Sequence, residues 1–258
     1  MADLVEQILS NHPDWFGAVL GRIDHHQVQI LYTQIDRDVE NRPIFTSHAY
    51  RVDPHVYFYP ASAVKLPAAL LALEKLNRLR IDGLDRNTPL RFDSAAPGRI
   101  STERDETAPD GLPTIGHYIR KLFLVSDNDA FDRLYDFLGQ PALNESLWSR
   151  GYGQVRLTHR LALPRTEAQN ACANPVTFYD GRTGRTLYEQ PLTCSDRSYV
   201  AAEPILQGTA HIAGGELVNA PMDFRGKNRI AGGALQAILK ALLFPEAVEP
   251  SQRFDLTA

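Results

Sequence analysis

The chain has 258 residues, 43% hydrophobic and 22% charged, an ordinary globular composition with length enough for a sizeable core. Its formal charge of -4 argues against a nucleic-acid partner, which would select a basic stripe, and no apolar run is long enough to span a membrane. The opening MADLVEQILSNHPDWF carries acids where a secretion signal would carry lysines, so no leader is read there. The two cysteines, Cys172 and Cys194, form no C-x-x-C pair; one disulfide and two plain thiols both fit them. The eight histidines are scattered, and neither a metal site nor a cofactor motif is read.

The spacing of Leu4, Val5, Ile8 and Leu9 predicts a first helix over 3–9. FGAVLGRIDHHQVQILYTQIDRD follows, with alternating and β-branched residues after Gln27, and is read as two short strands turning near residues 24–27. Another extended piece, SHAYRVDPHVYFYP, comes after the Arg42-Pro43 break, which makes the start of the chain an antiparallel sheet. Leu66, Ala69, Leu70, Leu73 and Leu76 then predict a helix that ends within 77–83. Residues 85–113 read as a long connection. Thr114 caps a helix carrying Ile115, Tyr118, Ile119, Leu122 and Phe123. Further helices are predicted over 129–138, 142–150 and 234–243, and residues 160–230 are rich in loops. No internal repeat and no low-complexity linker interrupts the chain, so it is taken as one domain over 1–258: a sheet-forming start (1–58), a mainly helical region (59–215) and a return segment (216–258).

Residues 59–76, YPASAVKLPAALLALEKL, place a lysine in an otherwise apolar helix start. Lys65 follows Ser62 by three residues, so the two side chains meet on one turn. A serine hydroxyl attacks a carbonyl only when something takes its proton. A lysine whose pKa is lowered by burial can do so, and free N–H groups at the helix start can hold an oxyanion. Taken alone, Ser-x-x-Lys is also the pattern of a cap serine followed by a solvated lysine. At 124–131 the chain reads LVSDNDAF. Ser126, Asp127 and Asn128 lie between two predicted helices, where a hydroxyl can relay a proton and an amide can hold a substrate carbonyl. The same three residues are also good helix caps.

Together, in this order and 64 residues apart, the two motifs resemble the penicillin-recognising serine enzymes, above all the class A β-lactamases. The resemblance runs from PASAVKLPAALLALEKL through SDNDAFDRLYDFLG to GQPALNESLWSRGYG and covers roughly residues 15–170. It implies an α/β fold of the α+β type, an antiparallel sheet flanked by helices, with a helical region carrying the Ser-Asp-Asn loop. It implies Ser62 as acylated nucleophile, Lys65 as proton acceptor, Ser126 as proton shuttle and Asn128 as substrate binder. The substrate would be a β-lactam or a peptidoglycan peptide, no cofactor or metal would be needed, and relatives work outside the cytoplasm.

The pattern departs from the family in two places. Class A enzymes deacylate with a glutamate followed four residues on by an asparagine; here RLALPRTEAQNACANPV offers Glu167, with Asn170 three residues on. Either Glu167 serves with altered loop geometry or this loop lacks the water-activating carboxylate. The third family motif, Lys-Thr/Ser-Gly, has only Arg182-Thr183-Gly184 as a mimic, and FYDGRTGRTLY reads instead as a hairpin turn. The chain ends in RFDLTA with no strands after its last predicted helix, so further sheet strands are expected beyond it in the natural protein. Three functions remain open: a β-lactam hydrolase, a penicillin-binding peptidase, and a non-catalytic binding protein of the same fold.

Overall fold

The computed structural model describes residues 3–94 and 101–256. Its helices are α1 (Leu4–Asn11), α2 (Pro13–Leu20), α3 (Ile23–His26), α4 (Lys65–Leu79), α5 (Ile115–Leu124), α6 (Asn128–Leu138), α7 (Gln140–Trp148), α8 (Glu167–Ala171) and α9 (Gly232–Leu243). Its strands are β1 (Ile30–Arg37), β2 (Pro43–Tyr50), β3 (Leu90–Phe92), β4 (Cys172–Ala173), β5 (Val176–Tyr179), β6 (Thr186–Gln190), β7 (Thr193–Cys194), β8 (Leu206–Gln207), β9 (His211–Ala213), β10 (Glu216–Val218) and β11 (Met222–Asp223). Every pairing is antiparallel, so this is a mixed fold of helices and antiparallel sheets, as the sequence led us to expect. Among the described residues no helix is long and apolar enough to cross a membrane.

Two compact units form, Met1–Phe58 with Ala231–Arg253, and Tyr59–Ile230 with Phe254–Ala258. In the first, Asp3 caps α1 by accepting the Val5 N–H at 3.0 Å, and α1 buries Val5 and Leu9. The strand expected before Asp24 is helical instead. Phe16 to Leu20 is a continuous apolar run that periodicity cannot assign; Pro13 at the first helical position and Asp14 in the first turn decide for α2. The hairpin β1–β2 runs in register from Ile30 opposite Tyr50 to Arg37 opposite Pro43. Two strands alone are marginal in water. Helix α9 covers them: Thr33 Oγ1 donates to Gln236 Oε1 at 3.0 Å, and Lys240 Nζ sits 3.9 Å from the centre of the Phe45 ring.

The second unit is built around α4, which packs against α5, α6 and α7. Val64, Ala68, Leu71 and Ala72 meet Ile115, Tyr118, Phe131, Leu134 and Leu143 in a core with almost no solvent access. Burial here fixes the direction of α4, and so the place of its first turn. The FYDGRTGRTLY segment is the expected β5–β6 turn: Asp180 Oδ1 accepts the Arg182 and Thr183 N–H groups, and Gly184 takes a left-handed φ of +72°. Strand β3 lies inside the stretch expected to be a plain connection, because three residues are too few to show a period. Cys172 and Cys194, opposite each other in β4 and β7, form a disulfide. Arg160 and Asp136 make a buried ion pair at 2.6 Å. The return to the first unit begins at Ala231 and not at 216. Residues up to 230 stay with the second unit because Arg156 and Arg229 exchange reciprocal backbone bonds at 2.8 Å and Asn228 Oδ1 accepts the Thr158 N–H.

Candidate active site

A single 3-10 turn, Ala61–Val64, leads into α4 and puts Ser62 on the surface one turn before the buried Lys65. The Lys65 side chain points to the loop between α5 and α6. Its Nζ lies 3.1 Å from Ser62 Oγ, 2.9 Å from Ser126 Oγ and 2.8 Å from Asn128 Oδ1, and it also bonds the Ser126 carbonyl. Ser126 Oγ lies 2.9 Å from Ser62 Oγ, which closes a triangle of two hydroxyls and one amine. Thus the structure brings together four of the five side chains singled out in the sequence. Two residues here hold left-handed backbone without being glycine: Ala61 (φ +45°), just before the nucleophile candidate, and Ser126 (φ +54°). Such strain persists only where the surroundings impose it, and it gathers at functional sites.

Lys65 is 2% exposed, and this burial pushes its pKa down; the carboxylates of Asp127 and Asp132 push the other way without cancelling it. Its four hydrogen-bond partners are all neutral oxygens, so no ion pair holds the proton on it. The amine is therefore prepared to accept a proton. Among the described residues no acceptor takes the Ser62 N–H, which leaves that donor free at the start of the turn.

The Ser126 loop is held from beneath by Asp127 of the motif itself and by groups outside it. Asp127 caps α6 by accepting the Ala130 N–H at 2.8 Å. Lys121 on α5 bridges Asp127 at 3.2 Å and Asp105 at 3.0 Å, and its carbonyl accepts the Asp127 N–H. Burial opposes the charge on Asp105, but bonds from Thr107 and Lys121 hold its pKa down to about 2. What Asp105 adds to stability is present above its ordinary pKa of 3.8 and is lost as pH falls toward 2. Lys121→Met removes the bridge and frees the loop to shift. A displacement of about 1 Å costs on the order of a hundredfold in rate, so acylation of Ser62 should slow by about tenfold to a hundredfold. Lys121→Arg should restore most of it. Stopped-flow acylation on both variants checks this; equal rates in Lys121→Met and wild type would remove Lys121 from the positioning role.

Glu167 stands apart from the triangle. It begins α8 behind a capping box made by Thr166 and Gln169, and its carboxylate accepts a bond from Ser198 Oγ. No hydrogen bond joins it to Ser62, Lys65 or Ser126 among the described residues. Asn170 is buried and spent on the loop, accepting from the Arg160 N–H and donating to the Arg165 and Thr166 carbonyls. Of the two carboxylates that Lys65 feels, Asp132 is pushed up to about 6 by burial and accepts the Leu161 N–H at 2.7 Å and also that of Ala162. Asp132 thus ties Leu161–Ala162 to α6 beside the Arg160–Asp136 pair, and neither Leu161 nor Ala162 carries an ionisable group. Sequence reasoning missed Asp132, although it follows Asn128 by four residues and so shares its helix face. Among the described residues no cluster of His, Cys, Asp and Glu is placed to hold a metal ion.

Comparison with known proteins adds two findings. Residues 24–225 match the family described as "Beta-lactamase enzyme family". A stretch of 128 residues is 29% identical to "Beta-lactamase regulatory protein BlaB" of Streptomyces cacaoi, covering 46% of this chain and 38% of that protein's length.

Proposed function

Because the chain belongs to the β-lactamase enzyme family, we propose that it is a class A-like serine hydrolase that opens a β-lactam amide through an ester on Ser62. The observation that supports this is the closed triangle of Ser62, Lys65 and Ser126. The Ser62 hydroxyl passes its proton to the neutral Lys65 amine as Oγ bonds to the lactam carbonyl carbon. The oxyanion takes the free Ser62 N–H. When the carbon–nitrogen bond breaks, Ser126 gives its proton to the departing nitrogen and is resupplied by Lys65. Asn128 accepts or donates to the substrate amide beside the triangle. The product of this half-reaction is the ring-opened acyl ester on Ser62, which keeps the former lactam nitrogen, now protonated by Ser126; water must then cleave the ester.

In this proposal Glu167 activates that water, and its bond to Ser198 holds it away from the triangle in the resting state. Hydrolysis should therefore be the slow step. Mixing with nitrocefin is expected to give a burst of one ring opened per chain, then slow turnover. Glu167→Gln should leave the burst and slow the second phase by about a hundredfold. Fast linear turnover, indifferent to Glu167→Gln, would assign the water to another group.

A second reading has its own support. A long-lived acyl-enzyme signals that β-lactam has been met, and the S. cacaoi relative is named a regulatory protein. A peptidase acting on peptidoglycan stems would use the same acylation and is separated from both by turnover on a D-Ala-D-Ala peptide. The Cys172–Cys194 disulfide supports a location outside the cytoplasm, where such bonds persist.

A further inference from the structure

A cleft of about 550 Å³ opens beside the helix start and is lined by Tyr59, His159, Arg165, Glu167, Arg225 and Lys227 among others. Its volume lies within the roughly 300–1,000 Å³ of small-molecule sites. None of Ser62, Lys65, Ser126 or Asn128 lines it.

Three observations define what would fill it. The first is His159. Its Nδ1 meets the Arg160 carbonyl at 2.5 Å and must therefore carry the ring hydrogen. Its Nε2 is buried with no partner. Burial keeps the ring neutral, helped by nearby Lys227, so Nε2 offers a lone pair and needs a donor. The second is charge. The acids of the cleft are engaged, Glu167 by Ser198 and Asp223 by Arg225 at 2.8 Å. Lys227, half-buried, has no acidic partner among the described residues, so its ammonium faces the cleft without an ion pair. The third is an aromatic wall. The Tyr59 ring stacks on His159 with planes 9° apart and centres 6.2 Å apart, and Phe224 meets Tyr59 edge-on at 6.0 Å.

We propose that this cleft is a binding site for a sugar acid, with a hydroxyl donating to His159 Nε2, a carboxylate on Lys227 and the C–H face of the ring against Tyr59. A simple anion satisfies Lys227 alone, and a neutral sugar leaves the cation unpaired. Only a ligand with both groups answers the three features. The site shares Glu167 with the proposed hydrolytic step but none of the hydroxyl triangle, and would let the chain sense a polysaccharide fragment while that triangle is untouched.

Ligand-observed NMR titration separates the possibilities, using D-glucuronate as probe with D-glucose and acetate in parallel. Glucuronate should bind at millimolar concentration, and glucose and acetate more weakly by about tenfold or more. Lys227→Met and His159→Phe should each weaken glucuronate by about tenfold to a hundredfold, the second while keeping the stack on Tyr59. Melting curves establish that both variants are folded; if His159→Phe is not, Lys227→Met carries the test. Acetate or glucose binding as tightly as glucuronate overturns the assignment, as does glucuronate binding unchanged in the folded variants. Failure of all three probes to bind would make the cleft a pocket of water and also overturn it.

Discussion

Ser62→Ala should abolish covalent labelling by penicillin, with no other serine taking over. Mass spectrometry of the intact chain should show one adduct on the wild type and none on the variant. Removing an activated serine costs on the order of a millionfold in enzymes where hydroxyl and base act as one unit. The reason is positional. Ser126 lies 2.9 Å from Ser62 Oγ and shares its amine, yet Ser126 sits on strained backbone with its carbonyl also bound to Lys65. An adduct that persists in Ser62→Ala would move the nucleophile elsewhere.

Lys65→Met should lower the acylation rate by about a thousandfold to ten-thousandfold, near the upper range for loss of a general base. Fold stability should change little. Methionine fills a similar volume, and a buried amine without a counter-ion contributes little to stability. The pH dependence has a definite sign. The base must be neutral, so wild-type acylation should fall as pH drops below the Lys65 pKa, which burial sets beneath the usual 10.5. In Lys65→Met that limb should vanish along with the rate. A variant that melts early while its folded fraction acylates normally would make Lys65 a structural residue.

Much of the site could be read in the sequence because its parts are local. Ser62 and Lys65 are joined by helical spacing, and Ser126 and Asn128 by a short loop between two helices whose caps, Thr114 and Asp127, are themselves readable. What failed was of two kinds. The apolar run Phe16 to Leu20 has no period, so its pattern alone reads as strand where the chain is helical. The bridge from Asp105 through Lys121 to Asp127, the tie from Asp132 to Leu161, and the stack of His159 on Tyr59 all depend on residues far apart in the chain. No spacing rule reaches them. Likewise the place of Glu167 depends on a partner, Ser198, in a loop that carries no motif.

The triangle has a consequence that emerges on counting hydrogens. Lys65 Nζ has four oxygen neighbours, two of which, the Ser126 carbonyl and Asn128 Oδ1, can only accept. A charged lysine has three hydrogens, so it satisfies both and gives its last to one serine, leaving that serine an acceptor pointed away from attack. A neutral lysine has two, both taken by the obligate acceptors. Its lone pair must then receive a hydroxyl hydrogen, and the only donors are the serines. The loss of one proton therefore turns the ring of contacts from a closed lock into a one-way path, Ser126 to Ser62 to Lys65. One hydrogen, that of Ser62, moves to Lys65 when the nucleophile attacks, while Ser126 keeps its own for the departing nitrogen, so where attack limits the rate, acylation in mixtures of light and heavy water should follow a straight line.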